Sequence, residues 1–407
     1  MKHWVSKLAL FRMLPPGIWA IGLATLFMNS STIIIFSLSP LYLTSIMGVS
    51  HMNLGLIEGV VEAIAWFTRI FSGILSDLIR KRKPLLLAAY GIAASSRLIF
   101  PLAPSAGWIF SARSIDRISN GLQATPREAL IADLAPKELK GASYGLRQTL
   151  GMIGSFFGAL ALLYLFRWSP GNYKLAFWIA VVPPFLALSC IHFFVHDRSI
   201  NTPQPTKSES FFSFEHLAHL DSRYWRVIVV AVIYTLSNYS GAFMILQANQ
   251  AGLSESEIPL VMVVQNIMAF LSAFPVGWVS DRIGRRIFLV FGFSFVLLAN
   301  LFMSMTHSIV FVLIGVGLWG LQMGINHSLM VAKVADVAPK DLRGTAFGIY
   351  YFLLGVAFLL ANLASGWLSQ HYGTEYVFYA SSVVIVFAIL SLSLLPHRSK
   401  FKIGTEN

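Results

Sequence analysis

The chain is predicted to be an all-α integral membrane protein of twelve transmembrane helices, built as two pseudo-symmetric six-helix bundles. Three observations carry that prediction. Hydrophobic residues make up 56% of the sequence and charged residues 12%, with mean hydropathy +0.69, whereas a soluble chain carries about 25% charged residues. Apolar runs long enough to span a bilayer, roughly 20 residues each, recur twelve times. A loop that ends an apolar run in an acid and a knot of bases returns half a chain later: Gly73-Ile-Leu-Ser-Asp77-Leu-Ile-Arg80-Lys81-Arg82 and Gly277-Trp-Val-Ser-Asp281-Arg282-Ile-Gly284-Arg285-Arg286. Such internal repetition is the mark of a fold made of related halves.

The apolar runs fall near 16–44, 53–76, 84–103, 106–132, 142–166 and 173–194, then 225–249, 256–279, 286–305, 308–333, 343–368 and 375–395. This divides the chain into a first bundle at 1–195, a linker at 196–224 and a second bundle at 225–407. Lys2, Lys7 and Arg12 precede the first run, which has no small-residue cleavage site and reads as a retained span. Bases concentrate in alternate loops: Arg80 to Lys83, Lys137 and Lys140, Lys207, Arg282 to Arg286, Lys340 and Arg343. The intervening loops near 45–52, 250–255 and 370–374 hold none, and Arg167 and Lys174 alone break the pattern. Retention of Lys and Arg on the cytoplasmic side then places both termini in the cytoplasm, and the expected location is the cytoplasmic membrane. The linker starts as Asn-Thr-Pro-Gln-Pro-Thr coil, and Phe211, Phe212, Phe214, Leu217 and Leu220 suggest a short amphipathic helix on the membrane surface.

A second repeat supports the first. Ala132-Asp133-Leu-Ala135-Pro136-Lys137 is echoed by Ala335-Asp336-Val-Ala338-Pro339-Lys340 at nearly the same spacing; in each, the proline stops a helix. The net charge of +12 sits in short loops between spans, which argues for topology control and against nucleic-acid binding. Cys190 is the one cysteine, so neither a disulfide nor a cysteine metal cluster is available. No metal-spaced His/Cys set, nucleophile–base pair or phosphate loop is present. No catalytic residue, metal or cofactor is expected, and an enzyme is not.

These residues resemble the major facilitator superfamily. Its loop pattern, Gly-x-Leu-x-Asp-Arg-x-Gly-Arg-Lys, is matched by Gly277, Asp281, Arg282, Gly284, Arg285 and Arg286, and in the first copy by Gly73, Leu75, Asp77, Lys81 and Arg82, with Leu78 and Arg80 departing. Arg117-Ile-Ser-Asn120-Gly121 is similar to the family's fourth-span Arg-x-x-Gln-Gly. Gly151, Gly154 and Gly158 lack the proline of the antiporter signature. The resemblance implies alternating access by two rocking bundles, and the missing phosphate loop predicts no ATP site. It also implies a cytoplasmic latch at Gly73, Asp77, Arg80, Lys81, Arg82, Gly277, Asp281, Arg282, Arg285 and Arg286; topology by charge alone is the other reading. The acids of the latch suit the positive ends of helices in the opposite bundle, and its bases suit Asp133 and Asp336.

Ionisable groups inside spans are costly, about 2.5–3.5 kcal/mol each on insertion scales, and therefore need a partner or a task. Glu58, Glu62, Arg69 and Gly73 share one helix face, expected to point at the opposite half. Glu62 has Asn266 as its expected repeat mate. Arg113, Asp116, Arg117, Asn120 and Gln123 form a stripe on the fourth span. Proton coupling is assigned to Glu62, Glu58, Asp116 and Arg117. The resemblance gives Arg117 a proton-linked role; an ion pair with Asp116, Glu58 or Glu62 that holds the bundle is the competing reading. The substrate cavity is assigned to Asn29, Arg113, Arg117, Asn120, Tyr234, Asn238, Asn266, Asn326, His327 and Tyr350, each of which also suits inter-helix hydrogen bonding. Arg127 and Arg147 are expected to snorkel to water or to form an inner gate, and Arg97 to be interfacial. The whole reads as a monomeric, proton-coupled secondary transporter of a small solute, anionic or zwitterionic because the first half is rich in arginine; a siderophore is one example. A carrier exporting multiple drugs or amphiphiles and a non-transporting sensor of the same fold are the alternatives.

Overall fold

The computed structural model describes residues 14–79, 82–136, 139–196, 220–283, 285–305, 308–339 and 342–394, and within these the side chains of all but 73–79, 141, 273–283, 285, 327–328, 343–344 and 394. The first half holds α1 (Pro16–Leu41), α2 (His51–Ile79), α3 (Arg82–Leu102), α4 (Ala106–Leu134), α5 (Lys140–Trp168) and α6 (Tyr173–Phe194). The second holds α7 (Ser222–Leu236), α8 (Gly241–Gln250), α9 (Pro259–Ile283), α10 (Arg285–Met303), α11 (Ile309–Val337), α12 (Arg343–His371) and α13 (Glu375–Ser391). Among the described residues eight stretches are long and apolar enough to cross a membrane, and parts of α9 and α13 are apolar but shorter. The two helices that fall short, α2 and α4, carry Glu58, Glu62 and Arg69, and Arg113, Asp116 and Arg117, respectively.

The expected seventh span at 225–249 is not one helix. It breaks into α7 and α8 at Ser237–Ser240, because polar side chains there compete with the backbone ladder. Ser237 Oγ and Asn238 Nδ2 both donate to the Tyr234 carbonyl, at 2.6 and 3.1 Å, and Ser240 Oγ caps the Ala242 N–H at 3.2 Å. A buried chain of hydrogen bonds closes over the break: Tyr239 Oη to Asn300 Oδ1 at 2.7 Å, Asn300 Nδ2 to Ser381 Oγ at 2.7 Å, and Ser381 Oγ to the Ser237 carbonyl. Irregular backbone at membrane depth needs such cover.

The two ends of the molecule differ. At the end that receives the 196–220 linker, the first half has its own core, with Ile21, Leu86, Tyr90, Ile131 and Ile191. At the far end, where the turns at Gly48, Gly171, Gly252 and Gly373 adopt positive φ, one continuous core runs through both halves, from Leu38, Leu54 and Phe177 to Phe243, Trp319 and Phe378. Hydrogen bonds join the halves there. The His51 N–H donates to Gln370 Oε1 at 2.9 Å, His51 Nδ1 bonds Ser369 Oγ at 2.9 Å, and Tyr173 Oη donates to Glu255 Oε2 at 2.9 Å. The far end is therefore closed in this structure. Trp108, Trp168 and Tyr372 stand exposed at it, as aromatic residues do at a membrane–water boundary.

Closure depends on glycine where α2 crosses α12. A Cβ on Gly55 would lie 2.7 Å from Gly366 Cα and 2.9 Å from its nitrogen, and backbone cannot yield as a side chain can. Cysteines replacing His51 and Gln370 are expected to crosslink in the parent protein and to fail in Gly55→Val; equal crosslinking would show that the contact is dispensable. Gly151, Gly154 and Gly158 have a similar task within the first half, since Cβ atoms on the latter two would run into the Leu26 and Ser30 backbone of α1. Small residues that let helices approach are the usual glue of membrane bundles.

Candidate functional site

Three ion pairs stand side by side in the first half. Glu58 and Glu62 are one turn apart on α2, and Arg113 and Arg117 are one turn apart on α4, so the two steps match. Arg113 grips Glu58 with both guanidinium nitrogens, Nη2 to Oε2 at 2.8 Å and Nη1 to Oε1. Arg117 Nε lies 3.2 Å from Glu62 Oε1. Arg97, from α3, meets Asp116 Oδ1 at 2.9 Å and donates to Thr32 Oγ1 at 2.8 Å.

Their surroundings separate them. Glu58 and Arg113 are 1% and 4% exposed, and Arg97 is 1% exposed. In the Glu62–Arg117 pair the side chains are 25% and 14% exposed, so this pair alone of the three is reachable. Arg97 thus departs from its expected interfacial place: Asp116 and Thr32 supply partners that let it sit in the interior. Asp116 is taken by Arg97, not by Arg117. Arg127 and Arg147 also depart from simple snorkelling. Both are largely buried and converge on Glu128, at 3.6 and 3.3 Å.

Between the halves lies a cavity of about 290 Å³. Glu62 and Trp66 form its first-half wall together with Phe36 of α1. Opposite are Tyr234, Asn238, Asn326 and Tyr350, all expected there. Tyr234 stacks on Phe293 with centroids 4.6 Å apart, and its hydroxyl donates to Gln322 Oε1 at 2.7 Å. Asn326 Nδ2 donates to the same Gln322 oxygen at 3.0 Å. The site is thus mostly aromatic, thioether and amide surface, with one ion pair at its side, and amphipathic organic molecules suit such a surface.

Several predicted residues lie elsewhere. Arg113 is turned into its pair with Glu58. Asn29 donates to the Gly151 carbonyl at 3.1 Å and ties α1 to α5. Asn266 donates to the Met262 carbonyl one turn back, at 2.8 Å, and Gln265 takes the expected cavity position. Arg117 adjoins a small void with Arg97, Arg113 and Asp116 and does not line the large cavity; Asn120 lines neither. The His327 side chain lies outside the described residues. So do Arg80, Lys81 and the side chains of Gly73, Asp77, Gly277, Asp281, Arg282 and Arg285; so does the linker between 197 and 219. Arg82, which is described, pairs with Asp133 and donates to the Ala129 carbonyl at 2.9 Å, all within the first half.

Sequence reasoning missed Trp319, Gln322, Met323 and Met330, which line the cavity from α11. Their helical spacing with Asn326 was a readable signal, masked because an apolar face in a membrane helix fits lipid as well as a binding site. It also missed the link between halves at Glu58. Ser240 Oγ, at the start of α8, donates to Glu58 Oε2 at 2.7 Å, while the Ser240 N–H donates to Asn362 Oδ1 at 2.8 Å. Among the described residues no group of His, Cys, Asp and Glu is arranged to hold a metal ion.

Comparison with known proteins agrees with this architecture. The profile of the Major Facilitator Superfamily matches residues 19–248 and 227–407. An uncharacterised MFS-type transporter of Methanocaldococcus jannaschii is 27% identical over 391 residues, covering 94% of this chain and 95% of that protein. Two solved structures are similar in fold. A POT family transporter in complex with 5-aminolevulinic acid gives a TM-score of 0.76 at 12% identity, covering 94% of this chain and 95% of that one. The nucleoside transporter NupG gives 0.74 at 11% identity, covering 94% and 99%.

Proposed function

Because the chain belongs to the Major Facilitator Superfamily and is a multi-pass membrane transporter, we propose that it carries a small organic solute across the cytoplasmic membrane by proton-coupled alternating access. The observation that carries the reading is the Glu62–Arg117 pair, half-buried beside a cavity that lies between the halves. A proton taken by Glu62 cancels the carboxylate charge and releases Arg117. That change is felt at the wall where the solute sits, so proton and solute bias the same equilibrium between states.

The conformation supports the same cycle. With the far end closed, the cavity is to be reached from the linker end, the cytoplasmic side by the distribution of bases. Opening the far end requires breaking Glu58–Ser240 and separating Gly55 from Gly366. Arg113 stays with Glu58 during that motion because both belong to the first half, so no buried charge is stranded. The solute is a compact amphipathic molecule with an anionic or zwitterionic head. A broader amphiphile carrier is the second reading, favoured by the methionine and aromatic surface of α11, since such surfaces repack around different guests.

The test is flux. Purified protein in proteoliposomes loaded with a pH-sensitive dye is offered a panel of organic acids, zwitterions and amines. At least one class is expected to move protons across the membrane in step with its own uptake, absent from protein-free liposomes. Solute uptake with no proton movement would remove the coupling; no uptake of any class would favour a sensor.

A further inference from the structure

The arginines expected to line the substrate cavity are each held by an acid, Arg113 by Glu58 and Arg117 by Glu62, and buried Arg97 is held by Asp116. Arg69 is not. It follows Glu62 by two turns on the same face of α2. Its guanidinium carbon lies 5.0 Å from the Trp66 ring centroid and 5.7 Å from that of Tyr351 on α12. Those two rings are themselves 5.5 Å apart. Among the described residues no carboxylate pairs with it, and its buried Nε has no hydrogen-bond partner. The backbone behind it is fixed, because α4 packs so closely at Gly121 that a Cβ there would sit 3.0 Å from the Arg69 nitrogen.

This cage adjoins the cavity. Trp66 lines both, and Tyr351 packs against cavity-lining Tyr350 with centroids 5.2 Å apart. Ring faces attract a guanidinium but take up none of its five N–H donors in the plane where they point. Arg69 is half-buried, its Nε has no partner among the described residues, and the acceptor that fits a guanidinium fork is a carboxylate, bound by two parallel hydrogen bonds. Glu62 and Arg117 together are neutral, so among the described side chains of that α2 face Arg69 carries the charge without an acid opposite it.

We propose that Arg69 is the anchor for the acid group of the transported solute, which is therefore a small organic carboxylate with an apolar or aromatic body. The body occupies the aromatic cavity and the carboxylate replaces water on the guanidinium edge. The proposal rests on the transporter reading for its word "transported", but the binding it describes does not require flux. Because Trp66 and Tyr351 come from opposite halves, the anchored carboxylate touches a cage that both halves build, and the solute thereby senses their relative position.

Three matched probes test it: phenylacetate, phenylacetamide and phenethylamine, titrated by calorimetry into the full-length protein in lipid nanodiscs without any gradient. The acid is expected to bind at least about tenfold more tightly than the amide and the amine. Arg69→Gln is expected to weaken the acid by about tenfold to a hundredfold and the amide by less than about threefold, while Arg69→Lys, which keeps the charge and loses the fork, falls between. If Arg69→Gln does not fold, the acid–amide contrast in wild type and Arg69→Lys carries the comparison. Equal binding of the three probes, binding of none, preference for the amine, or undiminished acid binding in a folded Arg69→Gln would each overturn the proposal and leave Arg69 as a staple between the halves. Flux separates the two readings: proton-driven uptake of an amine would sink the anchor and keep the transporter, whereas tight acid binding without uptake would keep the anchor and sink the transporter.

Discussion

Glu62→Gln is expected to abolish pH-driven accumulation while leaving gradient-free exchange of solute intact. The amide keeps the shape and a hydrogen bond to the Arg117 neighbourhood, but it cannot gain or lose a proton. Coupling between two ligands of one protein is typically worth 1–3 kcal/mol, so the concentrative component should fall by about tenfold to a hundredfold. The sign follows from the chemistry. Protonation of Glu62 favours the state that releases Arg117, so wild-type solute-coupled flux is expected to rise as pH falls, and the Gln variant should give a flat profile. Measuring both fluxes in proteoliposomes at several pH values separates loss of coupling from loss of binding. A Gln variant with the wild-type pH profile would place the proton elsewhere, with Glu58 the next candidate.

The largest effect on stability is expected at Glu58–Arg113. Both side chains are almost wholly enclosed, and removing one partner of a buried pair strands the other, at about 3–5 kcal/mol. Glu58→Met or Arg113→Met alone should therefore lower the midpoint of thermal unfolding in detergent sharply or prevent recovery of folded protein. The double variant replaces both charges with apolar groups of similar length and should recover most of the loss. Single variants as stable as wild type would mean that water reaches this pair and that its enclosure is misread. Ser240 gives a milder control: Ser240→Ala removes one hydrogen bond to Glu58, about 1.5–3 kcal/mol for a bond to a charged group, and should bias the protein toward an open far end without unfolding it.

Much of the architecture was legible because lipid imposes a strong constraint. The all-helical, multi-pass fold followed from run length and the doubled Asp77 and Asp281 loops. The break at Ser237–Ser240 did not, since a short polar cluster inside an apolar run reads equally as a helix lining a cavity. Among the charges, five of the six members of the cluster were legible: Glu58, Glu62, Arg113, Asp116 and Arg117. The pairing was not, because helix faces on α2, α3 and α4 are set by packing at glycines such as Gly121. Arg97 shows the consequence most plainly. Placed by sequence at an interface, it is drawn inward by Asp116 and Thr32. Arg69 is the converse: its face was readable, but its lack of an acid partner becomes visible only when the neighbouring helices are in place.

The account depends on two halves that rock about a central cavity, and paired distances across both ends test that most directly. In a Cys190→Ser background, spin labels at Ser45 and Tyr372 report the far end, and labels at Lys140 and Ser222 report the linker end. When pH and solute are varied, the far-end distance is expected to lengthen as the linker-end distance shortens, with an intermediate population absent or small. Distances that stay fixed at both ends, or that lengthen and shorten together, would contradict alternating access in this molecule.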